Sequence, residues 1–449
     1  MTLTALELKR KLVHIGVGGF AFLLRGLSWP QAAGMAALAF LFNWQVLPRI
    51  GGRAIWRGAD RDKGYPVGIL LYPLSVLGLV LAFREELWMV AAVWGLLAFG
   101  DGMASVVGMA SGGPTLPWNT KKGWAGFLAF VVFGTLGASL LAARTLGMPW
   151  SAAFSNAILR ITLPLAALGA IVESAPTSLD DNLTVPLVGG VAIALLAQAE
   201  PDRLLSDPDL GQRLWIGVWI NAVIAGLAYL ARSIDVAGAI SAVFIGATIT
   251  ATLGLPGLAV MVAFFVIGSA VTKLGYRIKA ARGIAQEQGG VRGWRNAWAN
   301  GGVAACLALL AGLAAPGLRE LLSLGYVASV ATAAADTCSS ELGKAYARRT
   351  FLITTFRPVP PGTEGAVSLE GTLGGLAGGC VVAAVGAAAG LYGWPAAIVV
   401  GLSALLGCLA ESVIGTVAER HGWLNNDQLN ALNTAIGAGF ASLFARFAL

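Results

Sequence analysis

Apolar runs about as long as a bilayer core is thick recur along this chain, separated by short polar segments. They fall at roughly 12–27, 30–48, 66–83, 87–107, 124–142, 157–173, 183–199, 214–231, 236–253, 255–272, 299–316, 321–335, 369–391, 394–417 and 432–447. A helix needs about 17–25 apolar residues to cross the hydrocarbon. The pattern therefore predicts an all-α protein, a polytopic transmembrane bundle of about 15 helices. The single acidic, Pro-containing connector, Glu200 to Arg213, divides the helices seven and eight. This gives a first domain over 1–200, a connector over 201–213 and a second domain over 214–449. Lys9, Arg10 and Lys11 ahead of the run from Leu12 imitate a signal peptide. No small-residue cleavage pattern follows, so this run is read as a retained first helix.

Composition sharpens the class. Hydrophobic residues make up 57% of the chain and charged residues 12%, about half the charge of a soluble domain. The 60 glycines follow no Gly-X-Y period, and glycine is frequent where transmembrane helices pack closely. The net charge of +7 does not point to nucleic acid, because the basic residues lie between apolar spans. With the N-terminus inside and sides alternating, 22 of the 30 Lys and Arg residues collect on one face, as the positive-inside rule requires. An integral multi-pass protein follows, with N-terminus and polar motifs cytoplasmic, C-terminus outside, and the plasma (inner) membrane as its location in a prokaryote. The four cysteines show neither a disulfide framework nor metal-ligand spacing.

Two segments share one pattern. Asp101-x3-Ser105-x2-Gly108 recurs as Asp336-x3-Ser340-x2-Gly343. A loop and a Gly-x2-Gly step follow each, Gly123/Gly126 and Gly371/Gly374. Next come Glu173-Ser174 and Glu411-Ser412, then Asp181-Asn182 and Asn426-Asp427. Four motifs in one order predict two related parallel modules, with the Asp and Glu residues at the cytoplasmic ends of helices. Ionisable groups at a membrane boundary are costly and mark function.

Several carboxylates with lysines and Gly-rich backbone suit nucleotide-dependent phosphoryl transfer. Mg²⁺ takes one or two carboxylates plus substrate phosphates, Lys offsets phosphate charge, and Gly lets backbone approach it. Such transfer relies on positioning and electrostatics more than on a strong base. No Walker A sequence or kinase Gly-rich loop is present.

The first half resembles the CTP-dependent polyprenol kinases, the dolichol and phytol kinase family. The likeness rests on Arg10-Lys11-Leu-Val-His14, Gly100-Asp101-x2-Ala104-Ser105-x2-Gly108, Pro117-Trp118-Asn119 with Lys121-Lys122, and Glu173 with Asp181-Asn182-x2-Val185-Pro186-Leu187. It departs where that family often has Lys-Ser and Gly-Ser, for here stand Lys122-Gly123 and Gly126-Phe127. From Ser233 to Gly439 the chain is similar to a membrane family that includes plant phytyl-phosphate kinase. That likeness rests on Ser233-x-Asp235, Thr272-Lys273, Asn300-Gly301-Gly302, Ala335-Asp336-Thr337-x2-Ser340-Glu341-x-Gly343, Val359 to Ser368, and Gly422-x-Leu424-Asn425-Asn426-Asp427-x2-Asn430. The two resemblances imply a prenyl alcohol kinase joined to a prenyl monophosphate kinase, with membrane lipid around both.

They also imply site residues. Asp101, Glu173 and Asp181 would hold Mg²⁺ and a nucleotide, CTP or UTP, with Lys11, Ser105, Gly108, Lys121, Lys122, Gly126 and Asn182 on its phosphates. Asp336, Glu341, Glu411 and Asp427 would hold the metal in the second half. Lys273, Asn300, Ser340, Gly343, Lys344, Gly362, Thr363, Gly365, Ser368, Asn426 and Asn430 would bind phosphate there. His14 either accepts the alcohol proton or is a helix-end histidine in a polar interface. Two rival classes share these features. One is a cytidylyltransferase forming a CDP-lipid. The other is a transporter, whose acids would lie near mid-membrane.

Overall fold

The computed structural model describes residues 4–50, 56, 64–285, 291–419 and 421–448. Arg53, Arg57, Arg61, Lys63 and Arg420, which count toward the basic-residue asymmetry, lie outside the described residues. The chain divides into two compact units, 1–198 and 199–449.

In the first unit α1 (Ala5–Gly18) tightens into a 3₁₀ stretch to Gly26. Next come α2 (Trp29–Leu41), α3 (Val67–Ala82) and α4 (Leu87–Ser111). A two-stranded antiparallel hairpin, β1 (Thr115–Leu116) and β2 (Asn119–Gly123), leads into α5 (Trp124–Thr145), α6 (Asn156–Glu173) and α7 (Asp181–Leu196). Leu96, Leu97, Phe130, Leu165 and Ile193 are fully buried between α4, α5, α6 and α7.

The second unit begins with the short α8 (Pro201–Leu205) and α9 (Leu210–Leu230), so ordered helix occupies much of the expected connector. It continues with α10 (Val236–Lys273), α11 (Tyr276–Ala281), α12 (Trp294–Leu313) and α13 (Pro316–Tyr346). A hairpin of β3 (Phe351–Leu352) and β4 (Ala366–Val367) precedes α14 (Leu369–Ala388), α15 (Trp394–Ala418) and α16 (Asn426–Ala448). The two runs expected at 236–253 and 255–272 are the two arms of α10. They meet at Gly254, whose φ of 71° and ψ of −165° suit a residue without Cβ. α13 packs against α10, α12, α14, α15 and α16 and is the hub of this unit.

Among the described residues nine helices are long and apolar enough to cross a membrane. Large apolar side chains stay exposed at four-residue steps on α9 (Trp215, Trp219, Val223, Leu227). Such a stripe would be a liability in water and faces acyl chains here. The chain is an all-α multi-pass membrane protein.

One expected helix end moves. The motif from Ala98 to Gly108 closes α4, which ends at Ser111, but Asp336 does not follow its helix, which runs on to Tyr346. The polar motif residues face neighbouring helices instead of lipid, so a fall in hydropathy does not end the helix. Glycine makes this possible at the crossing that follows. A Cβ on Gly126 would stand 2.9 Å from Ala104 O and 3.5 Å from Gly108 Cα. A Cβ on Gly371 would stand 2.7 Å from Ser339 O and 3.4 Å from Gly343 Cα. Counted from Asp101 and Asp336, these are the same contacts. Gly371→Ala and Gly126→Ala should each destabilise the protein by about 1–3 kcal/mol through overpacking. The readout is the thermal midpoint in detergent, with Gly439→Ala, which meets nothing within 4 Å, as the silent control.

Candidate functional site

The first unit gathers its acids by three local devices. One π-turn over Leu96–Asp101 interrupts α4, and such turns re-aim the side chain that follows. It leaves Asp101 almost fully buried. The β1–β2 hairpin is tied to the end of α6, where Trp118 Nε1 donates to Ser174 Oγ at 3.1 Å and Asn119 Nδ2 to Ser174 O at 3.0 Å. Side chains alternate along a strand, so Lys122 turns inward to bond Glu173 while Lys121 stays exposed. Asp180 caps α7 by accepting from Asn182 N at 3.0 Å, which fixes Asp181 at the head of that helix.

Asp101, Glu173 and Asp181 consequently offer carboxylate oxygens within 4.8 Å of one another. Lys11 Nζ donates to both oxygens of Asp101, at 3.1 and 3.0 Å. Lys122 Nζ also lies 3.9 Å from Asp181 Oδ2. Burial works against the charge on Lys122, but Glu173 and then Asp181 outweigh it and hold its pKa above the usual lysine value. Asn182 Oδ1 is buried without a hydrogen-bond partner, an oxygen left for a ligand. The donor set is all oxygen, as a hard divalent cation prefers. His14 Nε2 faces two acceptors, Leu97 O at 2.9 Å and Asp101 Oδ2 at 3.2 Å. That nitrogen is therefore a donor, and acceptance of a proton is left to Nδ1. Gly108 and Gly126 form the helix crossing described above, and Ser105 is half-buried on the same turn of α4.

Of these groups Lys11, His14, Asp101, Asp180, Asp181 and Asn182 line a cavity of about 740 Å³. Its other walls are apolar, with Val17, Phe20, Leu24, Met35, Val76 and Val80 among them.

The second unit repeats part of this plan. Asp336 and Glu411 are hydrogen-bonded to each other, bringing a helix aspartate to a later helix glutamate as Asp101 and Glu173 do. The hairpin again docks on the serine after the glutamate, for a Cβ on Gly365 would lie 2.8 Å from Ser412 O. Gly362 and Gly365 have φ of 88° and 70°, which the turns between β3 and β4 require. Thr363 Oγ1 donates to Pro360 O at 2.8 Å within this loop. Ser368 caps α14 by accepting from Gly371 N at 3.0 Å, and Gly343 packs beside it. Ser340 Oγ turns back to Asp336 O at 3.0 Å.

The metal set expected here is not assembled. Among the described residues no group of three acids forms in the second unit. Glu341 is fully buried in an ion pair with Lys279, whose Nζ also donates to Thr272 O at 2.8 Å, so its charge is already spent. Asp427 sits on the first turn of α16, which instead sends Asn433 Nδ2 to Glu411 Oε2 at 2.6 Å. Asn433 Oδ1 is buried without a partner, like Asn182 Oδ1. Asn426 is exposed and Asn430 buried on the same helix. Lys273 ends α10, and Lys344 offers its carbonyl to Arg282 Nη1 at 2.7 Å. Asn300 is buried on α12. Asn433 was missed in the sequence, where Asn430, Asn433 and Thr434 mark a polar face on an otherwise apolar helix.

Just past α15, Glu419 shares a hydrogen bond with Glu364 of the hairpin loop. Burial first, then Glu364, pushes its pKa up to about 8. The folded value lies above the unfolded one, so this contribution is complete below the unfolded pKa and is lost as pH rises through about 8. Thermal midpoints measured from pH 6 to 9 should fall more steeply for the wild type than for Glu419→Gln.

Residues 219–438 match the family described as Integral membrane protein DUF92. The chain is 46% identical over 198 residues to Uncharacterized membrane protein sll0875 of Synechocystis sp., covering 44% of this chain and 77% of that protein. It is 38% identical over 231 residues to Protein VTE6, chloroplastic, of Arabidopsis thaliana, covering 50% and 69%. It is 31% identical over 207 residues to Farnesol kinase, chloroplastic, of Arabidopsis thaliana, covering 42% and 66%. No solved structure matches. The chain belongs to the DUF92 family of integral membrane proteins.

Proposed function

We propose that this protein is a bifunctional prenyl kinase. Its first unit phosphorylates a prenyl alcohol such as phytol or geranylgeraniol, and its second phosphorylates the resulting prenyl monophosphate to the diphosphate. The donor is a nucleoside triphosphate, CTP or UTP, with Mg²⁺. Domains 1–200 and 214–449 carry the two steps. Both sites face the cytoplasm on the basic-residue asymmetry, with the C-terminus outside.

One observation supports the reading above others: an apolar cavity in a membrane protein is lined at its polar part by Lys11, Asp101 and Asp181, and Glu173, paired with Lys122, completes the carboxylate cluster beside it. A prenyl chain fits the apolar walls and presents only its hydroxyl to the polar end. Similarity to a protein named as a farnesol kinase agrees with a prenyl alcohol as acceptor.

Asp101, Glu173 and Asp181 would hold Mg²⁺ in the first site, and Asp336 and Glu411 with Asn433 in the second. Two facing carboxylates repel as anions, which a divalent cation relieves. A divalent cation held there would supply positive charge that offsets the phosphates. Lys11 and Lys122 supply further positive charge, and His14 orients Asp101 through Nε2.

The test uses purified protein in lipid nanodiscs with geranylgeraniol and CTP labelled at either the γ or the α phosphate. The proposal expects γ label in the lipid product. Label from the α position would make the protein a cytidylyltransferase. Substrate crossing liposomes without gaining label would make it a transporter.

A further inference from the structure

A second cavity, of about 110 Å³, lies in the second unit between α9, α10 and α12. Most of its wall is apolar, with Ile224, Ala228, Met261 and Phe265 among the lining residues. Its polar lining is Arg292, two residues ahead of α12, with Asn296 and Asn300 of that helix and Asn221 of α9. Gly293, Ala297 and Gly301, also in the lining, keep the adjacent stripe small.

Arg292 is held by its main chain. Its N–H donates to Ser233 O at 3.0 Å, and its carbonyl accepts from Asp235 N at 3.2 Å. Asp235 in turn caps α10. The guanidinium passes Gly268, where a Cβ would lie 3.2 Å from Nη1, and Nη2 donates to Thr272 Oγ1 at 3.3 Å. Among the described residues no carboxylate lies within 4.0 Å of it. Glu341, the acid with the strongest pull on it, is already paired with Lys279, and Asp336 comes next. A guanidinium has five donors, and the only side-chain bond described for this one is that to Thr272.

A partly buried fork with unspent donors, at the mouth of an apolar space and within electrostatic reach of Asp336, matches a phosphate monoester on a lipid chain. Guanidinium binds phosphate through two parallel bonds, while a neutral alcohol gains little from it. We infer that Arg292 holds the phosphate of the prenyl monophosphate, with the head-proximal part of the chain in the cavity between α9, α10 and α12. Arg292 thereby sets the preference of the second unit for monophosphate over alcohol. The inference rests on the second-unit reading given above, and names its substrate-binding residue.

The experiment measures binding and turnover of geranylgeranyl monophosphate by full-length protein in nanodiscs. Arg292→Gln should raise KM and Kd for the monophosphate at least about tenfold, leaving the nucleotide KM and the thermal midpoint unchanged. Arg292→Lys should recover part of the loss. Ala297→Leu, which narrows the cavity without altering charge, should also weaken binding. Wild-type KM and Kd in Arg292→Gln would overturn the assignment, as would equal weakening toward geranylgeraniol and its monophosphate. If the wild type binds monophosphate through Arg292 but transfers no phosphoryl group to it, the binding site stands and the second kinase step falls. If transfer proceeds and ignores Arg292, the kinase step stands and this site falls.

Discussion

Asp101→Asn should lower phosphorylation of a prenyl alcohol by about a thousandfold and should leave phosphorylation of added prenyl monophosphate intact. The amide keeps the volume of the carboxylate but removes the charge on which Lys11 and His14 converge. It also turns one of three carboxylates clustered within 4.8 Å into a neutral amide, a weaker donor to a divalent cation. Transfer that depends on electrostatic positioning fails when that charge is lost. The protein should still fold, because Lys11 is itself only partly buried and can turn toward water. Assays of the two steps with separate substrates, beside a thermal midpoint, distinguish lost chemistry from lost structure.

Asp336→Asn should have the complementary effect. Prenyl monophosphate accumulates to nearly the full amount of alcohol consumed, and diphosphate falls by a similar factor of about a thousand. Asp336 is the acid that meets Glu411, and Glu411 is in turn oriented by Asn433. Thin-layer separation of labelled mono- and diphosphate follows both at once. Loss of alcohol phosphorylation in Asp336→Asn with the fold intact would contradict separate sites.

Much of the architecture could be read from the chain because a bilayer imposes one length scale on every span. Even the break in α10 was visible, since Gly254 and Pro256 interrupt a run otherwise long enough for two crossings. The end of α13 was not, because hydropathy records polarity and cannot tell whether a polar face meets water or another helix. In the first unit the structure brings together Asp101, Glu173 and Asp181, which sequence order had suggested as a set. In the second, order alone misled. Asp427 and Glu341 carry the expected residue types, yet one lies on the wrong turn of α16 and the other is spent on Lys279. Asn433 lies on one face of α16 and Arg292 in the bridge ahead of α12, and spacing between distant motifs holds no information about either placement. The shared contacts Gly126–Ala104 O and Gly371–Ser339 O make Gly126 the counterpart of Gly371, three residues from the pairing of Gly123 with Gly371 and Gly126 with Gly374 that the sequence order suggested.

The central claim is that each unit holds its own divalent cation with nucleotide, and the direct test is a count. Mn²⁺ bound in the presence of a non-hydrolysable CTP analogue can be titrated by electron paramagnetic resonance on the purified chain. The account predicts two nucleotide-dependent ions per chain, one in Asp101→Asn, one in Asp336→Asn and none in the double variant. An unchanged count in either single variant, or no nucleotide-dependent ion in the wild type, would contradict it.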